Sequence, residues 1–430
     1  MSAYTQKRVN YPCVVPGTAG DSDKKLIFNE AAEGVPFFSP RQDPPAGTAA
    51  ADAGAPIPRL FQPLTIRGMQ LQNRIWVSPM CQYSAVDGFA TPWHNAHYGG
   101  ILQRGPGLVM VEASAVQARG RITPEDLGIW LDAQIDGHRK NVEFAHSQNV
   151  KIGVQIAHAG RKASTVAPWL SLGDTAVAAA GGWPEDVIGP SDEPFDPNYP
   201  TPRAATIAEL EQVKCDFVAA AKRALEAGYD VIDLHFAHGY LVSSFLTPAV
   251  NKRTDKYGGS FENRTRLAIE IVDAIRAVIP KDMPLFARIS ATDWLDNKPE
   301  WKGESWTLDQ AVRLAEMMAD HGVDVIDVSS GGNHAEQKVE GGPGYQAFLS
   351  QAVKKAVGDK ALVSVVGSIK DGKQAEELIK GSGEKTKLDL VAAGRMFQKN
   401  PGLVWAWADD LDLPIVNAKQ IRWGFGGRGK

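Results

Sequence analysis

The 430-residue chain has little cysteine: Cys13, Cys81 and Cys215 are odd in number and far apart. A disulfide framework is therefore not expected, and a reducing compartment is. No CxxC pair occurs, which excludes a four-cysteine zinc or iron–sulfur site. Long apolar runs are also missing, none reaching the roughly 18 residues of a membrane span. Charge of one sign is lacking too. Lys and Arg number 46 against 50 Asp and Glu, a net charge of −4 that favours neither a nucleic-acid backbone nor an anionic membrane as partner. The first residues carry no signal-peptide core, and they hold Asp and Glu freely, unlike a transit peptide. The expectation is a cytoplasmic protein with no nucleic-acid or membrane partner.

Apolar residues make up 43% of the chain and charged residues 22%, enough for a full core in one large domain with extensions. Residues 1–56 read as an N-terminal extension. Its end, "SPRQDPPAGTAAADAGAPIP", is rich in Pro, Ala and Gly without a period, the composition of a flexible linker in a tail that folds against the main domain. Residues 57–430 form that domain. From residue 74, short β-branched runs alternate with helical patterns: 74–80, 107–114, 151–157, 229–236, 284–290, 323–330, 361–367 and 388–395. Most are near-continuously apolar, as strands of a parallel sheet covered on both faces should be. The clearest helical patterns span 206–228, 260–279 and 307–322. Thr206 and Glu209 are spaced as a capping box, and Gly228 and Gly322 stand where helices stop. Eight such units predict an α/β fold, a (β/α)8 TIM barrel with inserted loops over its C-terminal face. A doubly wound sheet is the alternative, but "SPMCQYSA" after the first strand is not a phosphate fingerprint.

Barrels place their chemistry at the C-terminal strand ends. Those ends carry Ser78-Pro79-Met80-Cys81, Glu112-Ala113, Gln155, His235 and His238, Arg288, Ser329–Gly332, Gly367 and Gly394-Arg395. Gly367 with Gly394 and Arg395 closes strands seven and eight, where glycines let backbone N–H groups approach a phosphate and an arginine adds charge-assisted bonds. Two ordinary tight turns would look the same without the arginine. Gln155 and Arg288 are polar groups on apolar strands, with no paired Asp or Glu evident near them in sequence. A flat heterocycle with carbonyl and ring-nitrogen edges and a phosphate tail would use all of these groups, and FMN fits that description.

"LFQPLTIRGMQLQNRIWVSPMCQYSA", "VEASAVQARGRITPEDLGIW", "GVQIAHAGRKAS", "HFAHGYLVSSFLTPAVNKRTDKYGGSFENR", "IDVSSGG" and "AAGRMF" follow one another in order over about residues 60 to 400. Together they resemble the Old Yellow Enzyme family of flavin-dependent ene-reductases, and within it the thermophilic-like class III. The resemblance implies non-covalent FMN lined by Ser78, Pro79, Met80, Cys81 and the backbone of Ala113. It implies that Gln155 meets the pyrimidine edge and Arg288 the N1/C2 carbonyl region, with the phosphate on Gly367, Gly394 and Arg395. It also implies that Cys81 tunes the flavin; without the motif, Cys81 would read as a small buried hydrophobe.

His235 and His238, three apart beyond a strand, suggest a metal site on their own. A metal needs three or four ligands, and the other strand ends supply no third histidine and no acidic cluster. The resemblance implies instead that they hydrogen-bond the carbonyl oxygen of an α,β-unsaturated substrate (an enone, enal, maleimide or nitroalkene), whose β-carbon takes hydride from flavin N5. Tyr240 then protonates the α-carbon and Tyr83 faces the substrate. NADPH, with NADH as the alternative, is the implied donor, in a ping-pong cycle through one mouth. "NKRTDKYGGSFENRTR" reads as an ion-pair and capping segment, and 159–205 and 331–346 as loops over the site. A tRNA-dihydrouridine synthase would want a mid-barrel cysteine and a basic extension; here Cys215 sits mid-helix. A dienoyl-CoA reductase would need a cysteine cluster, and a non-catalytic flavoprotein would not need the His–His–Tyr set. The class implies a homo-oligomer, dimer or tetramer, with a C-terminal arginine reaching a neighbouring site. Here Arg422 stands one place early and Trp423 takes the aligned position.

Overall fold

The computed structural model describes residues 29–51, 56–383 and 385–426, with the two-residue strands Cys13–Val14 and Leu26–Ile27. Eight parallel strands close into a barrel: β1 (Ile75–Val77), β2 (Leu108–Ala115), β3 (Lys151–Ala157), β4 (Val231–Phe236), β5 (Leu285–Ser290), β6 (Val325–Ser329), β7 (Leu362–Val365) and β8 (Leu390–Ala393). Each expected strand is present, and β8 pairs with β1 to complete the ring. Helices follow the strands on the outside, among them Ile207–Ala227, Phe261–Arg276 and Leu308–Asp320.

Local chemistry sets the helix ends. The Thr206 hydroxyl accepts from the Glu209 N–H at 3.2 Å, and the Glu209 carboxylate accepts from the Thr206 N–H at 3.0 Å. This reciprocal pair satisfies two of the helix's orphan donors. Gly228 ends the same helix with φ +95°, a conformation in which glycine avoids the Cβ clash. In the segment 251–266, Arg253 pairs with Asp255 at 2.5 Å and Ser260 caps the next helix, the structural role its composition suggested.

Side chains alternate inward and outward along each strand. Outward residues such as Ile232, Leu234, Ile326 and Val328 join the large core against the helices. Inward residues form two tiers. The lower is apolar: Trp76, Leu108, Met110, Val231, Phe286, Val325 and Leu390, with Ile66, Met69 and Leu71 of the hairpin Leu64–Ile66/Met69–Leu71 plugging the N-terminal end. The upper tier is polar and carries the site.

The flexible-linker reading does not hold for residues 39–51. The Gly47 and Ala50 N–H groups donate to the carbonyls of Val416 and Pro414, and the Val416 N–H donates to Thr48. Buried Gln42 bonds Gln420 and the Lys419 N–H. Backbone pairing with the C-terminal segment fixes this stretch, a constraint composition does not reveal. Residues 52–55 of the linker-like sequence lie outside the described residues.

Candidate active site

A cavity of about 600 Å3 opens at the C-terminal mouth of the barrel. Of the residues singled out in the sequence, it brings together Ser78, Met80, Cys81, Tyr83, His238, Arg288, Gly367, Gly394 and Arg395. Ala113, His235 and Tyr240 line a much smaller adjoining hollow. Gln155 is buried in the tier beneath, and Pro79 is half-buried between Ser78 and Met80. Arg422 and Trp423 lie on a C-terminal turn and are not among the cavity lining; Trp423 is largely exposed.

No acidic partner is evident near Gln155 or Arg288 in sequence, yet the fold gives each one. β3 and β4 are in register with Gln155 opposite Asp233, and β5 and β6 with Arg288 opposite Asp327. The Gln155 amide donates to Asp233 at 2.7 Å, and Arg288 Nε donates to Asp327 at 2.5 Å. The partners are 78 and 39 residues away in the chain, which is why local reading missed them. A signal was there: both strands repeat Val-Ile-Asp, at 231–233 and 325–327. One guanidinium serves two carboxylates. Arg288 neutralises Asp327, while burial, and then Asp327, push Asp233 up to about 7. Arg288 also donates from Nη2 to the Ser78 hydroxyl at 2.6 Å, tying the loop after β1 to the polar tier.

That loop has a second anchor. Around a register irregularity between Val111 and Ser114, the buried Glu112 accepts the Gln82 N–H at 3.0 Å and the Tyr98 hydroxyl at 2.7 Å. Gln82 lies between Cys81 and Tyr83, so Glu112 positions both while staying out of the cavity lining. The Ala113 backbone faces the Cys81 sulfur. Burial pushes the Cys81 thiol well up, so it stays protonated and uncharged. Tyr83 has φ +48°, an unusual conformation for an aromatic residue.

His235, next to last in β4, faces inward, and its Nδ1 is buried without a partner among the described residues. His238 follows at φ +62°, with its N–H on the Ser290 hydroxyl at 2.9 Å. Its Nε2 meets the Ser329 hydroxyl at 2.7 Å. The His235 ring stands 5.3 Å from His238 and 4.9 Å from Tyr240, edge-on to both. Burial lowers both imidazoles, His238 to about 3, so each is neutral and keeps one N–H to donate. Burial also raises the Tyr240 phenol, which therefore holds its proton. Among the described residues, no group of three or more His, Cys, Asp or Glu is placed to hold a metal. Lys162 went unnoticed in the sequence. Its amine donates to the His238 carbonyl at 2.9 Å, and burial lowers it to about 7. The "HAGRKAS" stretch after β3 was the available clue.

Gly367 and Gly394 help line the far end of the cavity. Gly367 has φ +128°, and a Cβ there would meet Gln346 Nε2 at 3.0 Å and Tyr345 at 3.1 Å. A Cβ on Gly394 would meet the Met80 sulfur at 3.2 Å. Arg395 is exposed beside them, within reach of the Ser368 hydroxyl at 3.4 Å. The 331–346 loop also closes over this end through Tyr345 and Gln346.

A flat polar edge over Arg288 and Cys81, a glycine cradle with an arginine, and a volume within the usual ligand range fit FMN. Fold and site together define a flavin-dependent oxidoreductase barrel. The comparisons agree. Residues 59–413 match the NADH:flavin oxidoreductase / NADH oxidase family. An NADH:flavin oxidoreductase of Gibberella zeae (FG08077) is 52% identical over 94% of this chain and 98% of its own. The NADPH dehydrogenase of Bacillus subtilis is 41% identical over 85% and 99%. Among solved structures, a 2-naphthoyl-CoA reductase has a TM-score of 0.70 at 23% identity; 81% of this chain spans about half, 51%, of that one. An Old Yellow Enzyme homologue from Zymomonas mobilis has a TM-score of 0.65 at 23% identity, covering 84% and 94%. The chain belongs to the NADH:flavin oxidoreductase / NADH oxidase family, the family of Old Yellow Enzyme, and is an FMN-dependent NAD(P)H oxidoreductase.

Proposed function

We propose that the protein reduces the activated C=C bond of α,β-unsaturated carbonyl compounds, with NADPH as the preferred electron donor. The observation that carries this reading is the cluster of three neutral donors around His235, whose buried Nδ1 has no partner among the described residues: His238 and a protonated Tyr240 stand edge-on to its ring. Two imidazole N–H groups can bind one carbonyl oxygen and stabilise the charge that builds on it. They are buried, so the interaction is not diluted by water. Tyr240 holds a proton close to the same pair and would deliver it to the α-carbon. Ser78 to Cys81, Ala113, Gln155 and Arg288 would hold FMN, with Gly367, Gly394 and Arg395 toward its phosphate, and the bound flavin would supply the hydride. Arg288 would offer fixed positive charge to negative charge collecting on a reduced flavin, and the Cys81 thiol would offer a weak, uncharged contact.

The single mouth implies that nicotinamide donor and enone use the same face in turn. Relatives named NADPH dehydrogenase support the choice of donor. The test is anaerobic: NADPH should bleach the yellow protein, and 2-cyclohexenone should restore the colour. Steady-state rates at varied NADPH and cyclohexenone should give parallel double-reciprocal lines. A bleached protein that cyclohexenone and other activated alkenes cannot reoxidise would sink the reading, and intersecting lines would sink the shared face.

A further inference from the structure

The long segment after β3 carries apolar side chains that the site description leaves unused. The Thr165–Thr175 flap is closed at its base by a bridge between those two threonines and by the Val166 N–H on Asp174. Its tip exposes Trp169, Leu170 and Leu172, at 68%, 71% and 85%. A solvent-facing cluster of this size calls for an explanation. The flap is not free to wander. Thr175 donates through N–H and hydroxyl to the Asn198 carbonyl, at 3.1 and 2.7 Å. Gly173, at φ +98°, lies so close to the Tyr199 ring that a Cβ would come within 2.3 Å of it. Trp169 in turn meets Tyr83 edge-on, with ring centroids 5.7 Å apart. Tyr83 lines the main cavity, so Trp169 extends an aromatic surface from the cavity outward.

We propose that Trp169, with Tyr83 and supported by Tyr199, forms an aromatic wall at the mouth that selects substrates carrying an aromatic or bulky apolar substituent away from the reacting alkene. This rests on the ene-reduction reading and deepens it. The polar wall of His235, His238 and Tyr240 fixes the carbonyl end. A substrate with a remote ring would lay it against the indole, a contact that a small enone such as cyclohexenone has no ring substituent to make. Aromatic contacts of this kind favour edge-on or offset faces, which the exposed indole offers.

The test compares trans-6-phenylhex-3-en-2-one with trans-hex-3-en-2-one, whose reacting enones are identical. In the FMN-loaded wild type, kcat/KM should favour the phenyl substrate. In Trp169→Ala that ratio should fall about 5-fold, the scale of one aromatic pair, and Trp169→Phe should restore most of it. Calorimetric binding of the saturated ketones 6-phenylhexan-2-one and hexan-2-one reads the same wall without turnover, and their Kd ratio should fall in parallel. If neither enone is reduced but the Kd ratio collapses in Trp169→Ala, the wall stands and the ene-reduction reading falls. If both enones are reduced and neither ratio moves, the wall is overturned and the reaction stands.

Discussion

At the β4 end of the cavity, His235 is buried with a bare nitrogen, His238 is held in a left-handed backbone, and Tyr240 keeps a phenol out of water. At the β7–β8 end, two glycines present backbone and Arg395 is exposed. The first end concentrates buried polar groups, and the unsatisfied His235 nitrogen and the left-handed backbone at His238 both lower stability. The second asks little of the fold, because backbone N–H groups and a solvated guanidinium need no burial. The contrast teaches where substitutions should register: as chemistry or stability near β4 to β6, and as affinity near β7 and β8.

The largest effect is expected at Tyr240. Tyr240→Phe removes only the hydroxyl, so FMN content and NADPH-driven bleaching should stay near wild type while cyclohexenone reduction falls by about 10²–10⁴. A nitroalkene, whose product anion is stable without the proton, should still reoxidise the protein. Stopped-flow traces of the two half-reactions separate the steps, and wild-type cyclohexenone reduction would show that Tyr240 is not the acid. Next comes Arg288→Leu, which leaves Asp327 buried without its cation and should cost about 3–5 kcal/mol in chemical denaturation. A loss below ~1 kcal/mol would mean the polar tier does not depend on that pair. Arg395→Ala, at the other end, should leave denaturation unchanged and weaken FMN roughly 10-fold in a fluorescence titration, the loss of one charge-assisted contact. If it unfolds the protein, or leaves FMN affinity intact, the contrast between the ends breaks. Smallest is Cys81→Ala: FMN stays bound, and the reduction potential moves on the order of 20 mV, about 1 kcal/mol for a two-electron couple. An unmoved potential would make the thiol packing alone.

Much of this was readable in the chain. The eight strands and the Thr206–Glu209 cap follow from local periodicity and local hydrogen bonding, so windows of ten to twenty residues contain the cause. The strand ends pointed to the site residues before any resemblance, and of these Ser78, Met80, Cys81, His238, Arg288, Ser329, Gly367, Gly394 and Arg395 line one cavity. What escaped depends on register or on distant backbone. Asp233 and Asp327 look like interruptions in apolar strands until β3 to β6 are aligned side by side. Glu112 was visible at a strand end, yet the irregular β2 turns it to the loop behind the site. Tyr83 and His238 carry no glycine-like mark of their positive φ. Residues 39–51 have a linker's composition and gain their order from pairing with residues 414–416.

The facing pairs Gln155–Asp233 and Arg288–Asp327 also bear on how the barrel finds its native alignment. Apolar strands slide past one another with small penalty, since one valine replaces the next. A one-residue slip, however, turns every side chain to the opposite face. In β6 that would carry Asp327 among the outward positions of Ile326 and Val328, inside the helix-facing core, and separate it from Arg288. An unpaired charge in that layer is strongly disfavoured. The same residues that stand under the flavin site therefore act as a vernier for assembly, rejecting misaligned barrels before any ligand arrives.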